Sequence, residues 1–207
     1  MRLVTSINGL LRTIDSASLE FADGKRKVST GLACLDGLAP GRGFVLGAVH
    51  EFLGPTDTPA SLVPLLVARA AAQIGWIVWC DPLKRFYPPA AASFGLPLER
   101  LILLRPPDEA ALNWSVTECL RCRGVAACVA WMGRLSFLHA RRFQLAAERG
   151  GGMGLILRPG QAATQPYAAA TRWMVRPASG ERSLQRLVVE LIHGHGGRVG
   201  ERALLEV

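Results

Sequence analysis

Between Gly47 and Leu157 the chain alternates short apolar runs with longer stretches of helical spacing. The apolar runs are residues 48–54, 76–80, 101–104, 126–132 and 153–157, and the helical stretches are residues 61–73, 88–94, 108–123 and 139–148. The runs are rich in leucine, β-branched and aromatic residues, which is typical of strands buried on both faces of a parallel sheet. The alternation therefore predicts an α/β fold with a doubly wound, mainly parallel sheet.

The pattern changes after Arg158. Residues 172–175, 187–193 and 203–207 are short apolar runs separated by turn-forming residues rather than by helical stretches. Because a short turn can join only antiparallel neighbours, these runs predict antiparallel C-terminal strands that extend the sheet.

Length and apolar content fit a single domain. The chain has 207 residues, half of them hydrophobic, which is enough for a substantial core. Residues 3–22 repeat apolar side chains at helical spacing, and a polar, basic stretch follows at residues 23–27. The sequence therefore predicts an N-terminal helical arm over residues 1–27 and a core domain over residues 28–207.

The segment from Gly47 to Ala72 has the strand, loop and helix layout of a phosphate-binding P-loop. In a P-loop, glycines let main-chain N–H groups surround the phosphates, a lysine reaches the outer phosphates, and a serine or threonine hydroxyl binds Mg²⁺. Here Gly54, followed by Pro55, stands at the place of the first glycine, and Ser61 stands at the place of the hydroxyl. The layout of the motif is present.

Three residues inside the loop argue against nucleotide binding. Pro59 replaces the second glycine and has no N–H to donate, and Ala60 replaces the lysine. Asp57 puts a carboxylate where a phosphate needs positive potential. We therefore expect a nucleotide-pocket architecture that neither binds nor hydrolyses a nucleotide, with no cofactor.

The string VSTGLACLD at residues 28–36 and the loop FLGPTDTPAS at residues 52–61 resemble the RecA recombinase family. The resemblance covers roughly residues 28–160 and implies a RecA-like core. In that family a catalytic glutamate follows the strand ending at Asp81, and this chain has Leu83 there. The strand at 126–132 ends on a Mg²⁺-supporting aspartate in the family and on Met132 here. With Ala60 for the lysine, the resemblance implies no catalytic residues and no enzyme activity.

Within RecA-like proteins the chain resembles the ImuA family most, in length, in residues 28–36, in the WIVW and AWM runs, and in the block RRFQLAAERGGGMGLILRP at residues 141–159. This resemblance implies a non-enzymatic adaptor of bacterial mutagenic translesion DNA synthesis in the SOS response. The implied partner is an ImuB-type Y-family polymerase-like protein, with an error-prone C-family polymerase engaged indirectly.

A second family gives an alternative. SulA-type cell-division inhibitors also resemble this chain, at WIVW, FGLPLERL and GMGLILRP. That resemblance implies an inhibitor that binds the tubulin-like division protein. The long entry segment at residues 28–54 favours the ImuA family over this alternative.

The charge distribution leaves two interpretations open. The net charge is +8, and residues 134–207 carry 11 basic and 5 acidic residues. A basic C-terminal third fits a nucleic-acid or anionic protein partner, but an arginine-rich composition bias gives the same count. Arg134, Arg141 and Arg142 flank the short segment after Met132, and they are candidate contacts for DNA phosphates or for a partner.

The remaining patterns indicate no metal site and no membrane contact. Cys119 and Cys122 form an isolated CxxC without a second pair, and the histidines at 193 and 195 lie in a glycine-rich turn. Five cysteines, an odd number in apolar surroundings, fit a reducing cytoplasm. No apolar stretch is long enough to span a bilayer, and the N-terminus lacks the pattern of a signal peptide. The expected location is cytoplasmic.

Overall fold

The computed structural model describes residues 4–7, 10–13, 21–22, 25–55, 59–179 and 185–206. Its strands are β1 (Val4–Ile7), β2 (Leu10–Thr13), β3 (Phe21–Ala22), β4 (Lys25–Val28), β5 (Phe44–Val45), β6 (Val49–Gly54), β7 (Trp76–Cys80), β8 (Leu101–Leu104), β9 (Val125–Trp131), β10 (Met153–Pro159), β11 (Thr171–Pro177), β12 (Arg186–Gly194) and β13 (Arg202–Glu206). Its α-helices are α1 (Ala33–Asp36), α2 (Leu62–Ala71), α3 (Pro88–Ser93), α4 (Glu109–Arg121) and α5 (Phe137–Gly150).

An eight-stranded sheet in the order β13-β12-β11-β6-β10-β9-β7-β8 forms the centre of the protein. The strands from β11 to β8 in this order are parallel, whereas β12 runs antiparallel to both β11 and β13. The predicted α/β fold, with a mainly parallel sheet and antiparallel strands at its C-terminal end, is confirmed. One detail differs, because β11 is antiparallel only to β12 and runs parallel to β6.

Helices cover both faces of the sheet. Helix α2 packs on one face, and its residues are all buried apart from Arg69. Helices α4 and α5 pack on the other face through a smaller set of apolar side chains, including Val116 and Phe143. The strands between these layers are buried along almost their whole length, which is why their sequences are continuously apolar rather than alternating.

The N-terminal prediction of a helix is wrong for the residues that the structure describes there. Strands β1 and β2 pair antiparallel, with Ile7 opposite Leu10, and β3 pairs with β4. The apolar spacing that suggests a helix coincides with Val4, Thr5 and Ile7, whose β-branched side chains favour strands. Between the paired Ile7 and Leu10 stands the dipeptide Asn-Gly, the strongest short-range hairpin signal. Strand β4 pairs in turn with β5, so ordered pairing begins before residue 28, the predicted domain boundary.

Among the described residues, no helix combines the length and the apolar character needed to cross a membrane.

Candidate functional site

The P-loop layout predicted from the sequence is present in the structure. Strand β6 ends at Gly54, a 3₁₀ turn covers Pro59–Ser61, and α2 begins at Leu62. A side chain on Gly54 would lie 2.7 Å from the carbonyl oxygen of Val175 and 3.0 Å from the Cβ of Ala60, so only glycine fits there. Ala60 is only 3% exposed. The position of the P-loop lysine is therefore packed against the end of β6.

The other described loop positions are Pro55 and Ser61. Pro55 is exposed, and Ser61 occupies the N-cap of α2 without capping a main-chain N–H. Asp57 lies outside the described residues, so its predicted effect on the loop remains a prediction.

Leu83 and Met132 lie at the carboxyl ends of β7 and β9, where the resemblance places catalytic carboxylates. Leu83 is 53% exposed, and Met132 is buried with its N–H donated to the carbonyl of Leu157. The nearest carboxylate along the chain, Asp81, is already occupied. Its two oxygens accept the main-chain N–H groups of Arg85 and Phe86, and they hold the turn after β7.

Two cavities open at this carboxyl edge of the parallel strands. The first, which we name the Trp79 cavity, has a volume of about 360 Å³ and is bounded by the start of α2, by α3 and by the turn after β7. Its walls are mostly apolar and include Trp79, Phe86, Tyr87 and Trp131. The second, the Met132 cavity, has a volume of about 450 Å³ and lies towards the start of α4. The wall of the Trp79 cavity is thus mostly apolar, whereas Asp108, Glu109 and Arg134 line the Met132 cavity together with apolar residues.

A buried ionic cluster lies on the α4/α5 face of the sheet. Glu51 of β6 contacts Arg158 of β10 at 3.5 Å and Arg172 of β11 at 2.9 Å. All three side chains are at most 2% exposed. Within the described part of the chain, the Nε of Arg158 has no hydrogen-bond partner. This cluster was not predicted from the sequence, although each member is a charged residue within a mostly buried strand.

The cluster fixes the short segment between β10 and β11. Arg172 donates to the carbonyl oxygens of Ala162 and Ala163, and Arg158 donates to the side chain of Gln165. The guanidinium of Arg172 also lies 4.2 Å from the centre of the Tyr167 ring. The segment between β10 and β11 therefore contains a 3₁₀ turn, Gly160–Thr164, and is attached to the sheet by two arginines.

The predicted arginine contacts lie at and near the start of α5. Arg134, Arg141 and Arg142 are exposed, and none of them forms an ion pair with another described residue. Two exposed apolar side chains, Phe137 and Leu138, stand one turn before Arg141 and Arg142 on the same helix. This surface is therefore both basic and apolar, a mixture that fits a protein as well as a phosphate backbone.

Titratable groups elsewhere do not assemble a catalytic or metal site in the described residues. All five cysteines are free thiols, and hydrogen bonds with Cys119 and Cys80, together with burial, raise the pKa of Cys128. Tyr167 contacts the Nδ1 of His193 at 2.8 Å, and burial lowers the pKa of that histidine. No group of three or more His, Cys, Asp or Glu side chains in the described ranges could hold a metal ion.

A scan against models of protein families finds no match for this chain. Among curated proteins it is similar to Protein ImuA of Caulobacter vibrioides (strain NA1000 / CB15N), at 34% identity over 196 residues, covering 84% of this chain and 80% of that protein. It is also similar to the cell division inhibitor SulA of Cronobacter turicensis, at 28% identity over 168 residues, covering 81% of this chain and 95% of that protein.

Among solved structures, the crystal structure of the RadB recombinase aligns with a TM-score of 0.70 at 16% sequence identity. The alignment covers 87% of this chain and 96% of RadB. The sheet order and the strand, loop and helix at Gly54 thus define a RecA-like α/β protein, as the sequence predicts. The match to the Caulobacter protein is more specific than the fold. The chain belongs to the ImuA family.

Proposed function

We propose that this chain is a non-enzymatic adaptor in a bacterial complex for mutagenic translesion DNA synthesis, acting in the cytoplasm during the SOS response. The observation that carries the proposal is the replacement of polar chemistry at the carboxyl edge of the sheet. Ala60, Leu83 and Met132 stand where the RecA-like resemblance implies a lysine and two carboxylates. An aromatic-lined cavity opens beside them. Such an edge is suited to docking apolar groups and unsuited to holding a triphosphate and its metal.

The proposed direct partner is the ImuB-type Y-family polymerase-like protein, through which an error-prone C-family polymerase is engaged. Membership of the ImuA family supports this choice. The resemblance to that family is what implies a complex with an ImuB-type protein. The free cysteines fit a reducing compartment.

The test is a titration of the purified chain with its cognate ImuB-type protein and, separately, with the tubulin-like division protein. We expect saturable binding to the ImuB-type protein and none to the division protein. Because SulA relatives align with most of this chain, the division inhibitor is the competing function. Binding to the division protein alone would overturn the adaptor proposal in favour of that function.

DNA is a further proposed partner, through Arg134, Arg141 and Arg142. Anisotropy titrations of labelled single-stranded DNA at several salt concentrations measure this contact, since each neutralised phosphate adds to the salt dependence of binding. We expect the double variant Arg141→Glu/Arg142→Glu to bind more weakly and with a smaller salt slope. Arg123→Glu is the control, because Arg123 is exposed in the loop that precedes β9. It therefore lies at the amino end of that strand, whereas Arg134 follows the carboxyl end. Equal losses in both variants would indicate a diffuse charge effect and would contradict the assignment.

A further inference from the structure

The Trp79 cavity and the Met132 cavity form one groove along the carboxyl edge of the sheet. Both are lined by Pro82, Leu83 and Trp131, so these side chains separate the two parts of the groove. The wall of the Trp79 cavity is mostly apolar, whereas the Met132 cavity also has Asp108, Glu109 and Arg134 in its wall. Leu83 is 53% exposed at this junction, and Tyr87 is 67% exposed at the rim of the Trp79 cavity. Large apolar side chains clustered around a concave site are typical of surfaces that bind another molecule.

Internal contacts make the walls of the Trp79 cavity rigid. Trp79 and Phe86 pack with their ring centres 4.5 Å apart. The turn that carries Leu83 is held by the carboxylate of Asp81, which accepts the N–H groups of Arg85 and Phe86. A preformed apolar cavity of this kind binds an inserted side chain without a large cost of ordering its own walls.

The charged residues beside the Trp79 cavity indicate which kind of ligand it favours. Arg85 lines the Trp79 cavity, and Lys84 precedes it in the same turn. Both are exposed, and neither forms an ion pair with a described residue. The one carboxylate in the wall, that of Asp81, is buried and accepts two main-chain hydrogen bonds. Among the described residues, the turn beside the Trp79 cavity therefore carries two positive charges without an ion-pair partner, while the carboxylates of Asp108 and Glu109 line the Met132 cavity and not this one. Such positive charge attracts acidic groups and repels basic ones.

We propose that the Trp79 cavity binds an acidic peptide segment of a partner protein. One large apolar side chain of that segment enters the cavity, and flanking carboxylates pair with Lys84 and Arg85. This inference rests on the proposed function, because it gives the adaptor a docking site and gives its partner a chemical signature. The partner segment is defined by that signature: one tryptophan, phenylalanine or leucine within a stretch rich in aspartate or glutamate.

The test uses the full chain and a panel of fluorescein-labelled peptides of 12 residues. The probe peptide has one central tryptophan among aspartate, glutamate, serine and glycine. The first comparison peptide has serine in place of tryptophan, and the second has lysine in place of every acidic residue. We expect both comparison peptides to bind at least about tenfold more weakly than the probe, because each lacks one of the two contacts. Absence of binding by the probe would overturn the proposal.

Variants of the protein locate the site. Leu83→Asp and Arg85→Glu should each weaken binding of the probe at least about tenfold, because they remove the apolar contact or reverse the charge. Val199→Asp is the matched control, because Val199 is 56% exposed and lies in the turn between β12 and β13. These two strands form one side of the sheet, and β7, which precedes Leu83, lies towards the other side. Thermal melting confirms that the variants fold. Unchanged binding by Leu83→Asp, or displacement of the probe by Mg²⁺-ATP, would overturn the proposal.

A parallel titration with the ImuB-type protein separates the two levels of the hypothesis. If that protein binds wild type and Leu83→Asp equally, its contact lies elsewhere, and the docking site is refuted while the adaptor role stands. If the probe peptide binds as expected but the ImuB-type protein does not bind, the adaptor role is refuted and the acidic-peptide site stands.

Discussion

Among single residues, Glu51 has the least ordinary position, because its carboxylate is buried between two guanidinium groups. Burying a charge is costly unless its partners compensate for the lost water, and removing one partner leaves the others uncompensated. A second glutamate that contacts two arginines lies nearer the surface. Glu190 of β12 contacts Arg176 at 3.0 Å and Arg202 at 3.0 Å, with both arginines about half or more exposed. The two clusters form a natural comparison.

We predict that Glu51→Gln lowers the free energy of unfolding by about 3 to 5 kcal/mol, because Arg158 and Arg172 then remain buried without a counter-charge. Glu190→Gln should cost less than about 1 kcal/mol, because its arginines stay in contact with water. Urea-induced unfolding of both variants measures the difference. Similar losses in the two variants would show that burial does not make the Glu51 cluster more important for stability than the Glu190 cluster.

His50 is a second buried polar residue, and its two hydrogen bonds define the protonation state and the tautomer of its ring. Its Nδ1 lies 2.7 Å from the hydroxyl of Thr171, and its Nε2 lies 3.0 Å from the carbonyl oxygen of Val45. The carbonyl can only accept, so Nε2 carries the proton and Nδ1 accepts the hydroxyl proton of Thr171. Trp173 donates in turn to that hydroxyl oxygen. Each group is therefore satisfied when the imidazole is neutral.

We predict that this histidine makes the fold less stable in mild acid. Burial lowers the pKa of His50 from 6.5 to about 4. The unfolded chain therefore binds a proton near pH 6.5, whereas the folded protein does so only near pH 4. The stability contribution is present above pH 6.5 and falls by about 3 kcal/mol as the pH drops to 4. Unfolding free energies of wild type and His50→Gln across this range should show a shallower pH dependence for the variant. Parallel curves would contradict the assignment.

The positions of helices and strands can be predicted from the sequence where the apolar residues fit only one spacing, either that of a helix or that of a strand. Strands β7 and β8 match the predicted residues at both ends, because each is a short, continuously apolar run bounded by turn residues. The N-terminal strands were not predicted, because their apolar residues fit a helical spacing as well as an alternating one. The cluster of Glu51, Arg158 and Arg172 could not be derived either. Its members are far apart in the chain, and only the pairing of β6 with β10 and β11 brings them together.

The contact between α4 and α5 depends on one glycine. A Cβ on Gly150, in the last turn of α5, would lie only 2.0 Å from the carbonyl oxygen of Leu120 in α4. Glycine thus allows the two helices to approach each other closely at their C-terminal ends.

We predict that Gly150→Ala lowers the free energy of unfolding by about 1 to 3 kcal/mol, because α5 must move away from α4. Helix propensity alone would give the opposite sign, since alanine is favoured over glycine by about 1 kcal/mol inside a helix. Gly133→Ala is the control, since a Cβ there meets no atom within 4 Å. Thermal unfolding of both variants gives the answer, and a stabilised Gly150→Ala would show that the close contact is not rigid.

In the molecule as a whole, the RecA-like sheet is intact while its carboxyl edge has different chemistry. The order of strands, the glycine at the end of β6 and the helix that follows it are all present. At the P-loop lysine position, Ala60 is buried, and its Cβ leaves no room for a side chain on Gly54. The fold therefore does not depend on the groups that would bind a nucleotide.

We predict that the protein shows no saturable binding of a fluorescent ATP analogue with Mg²⁺ at micromolar concentrations. The variant Ala60→Lys should not restore binding, because Leu83 and Met132 supply no acidic group that could hold the metal. Equilibrium dialysis measures both proteins. A dissociation constant in the micromolar range for the wild type would refute this prediction.

The attachment of residues 162–165 to the sheet by Arg158 and Arg172 has a consequence for how complexes of this protein come apart. A segment tied down by buried charges keeps one conformation, so it offers no second state that a chemical cycle could select. We expect a partner that contacts this segment to leave by competition with another protein, or by degradation of one member of the complex, rather than through a change in the conformation of residues 162–165.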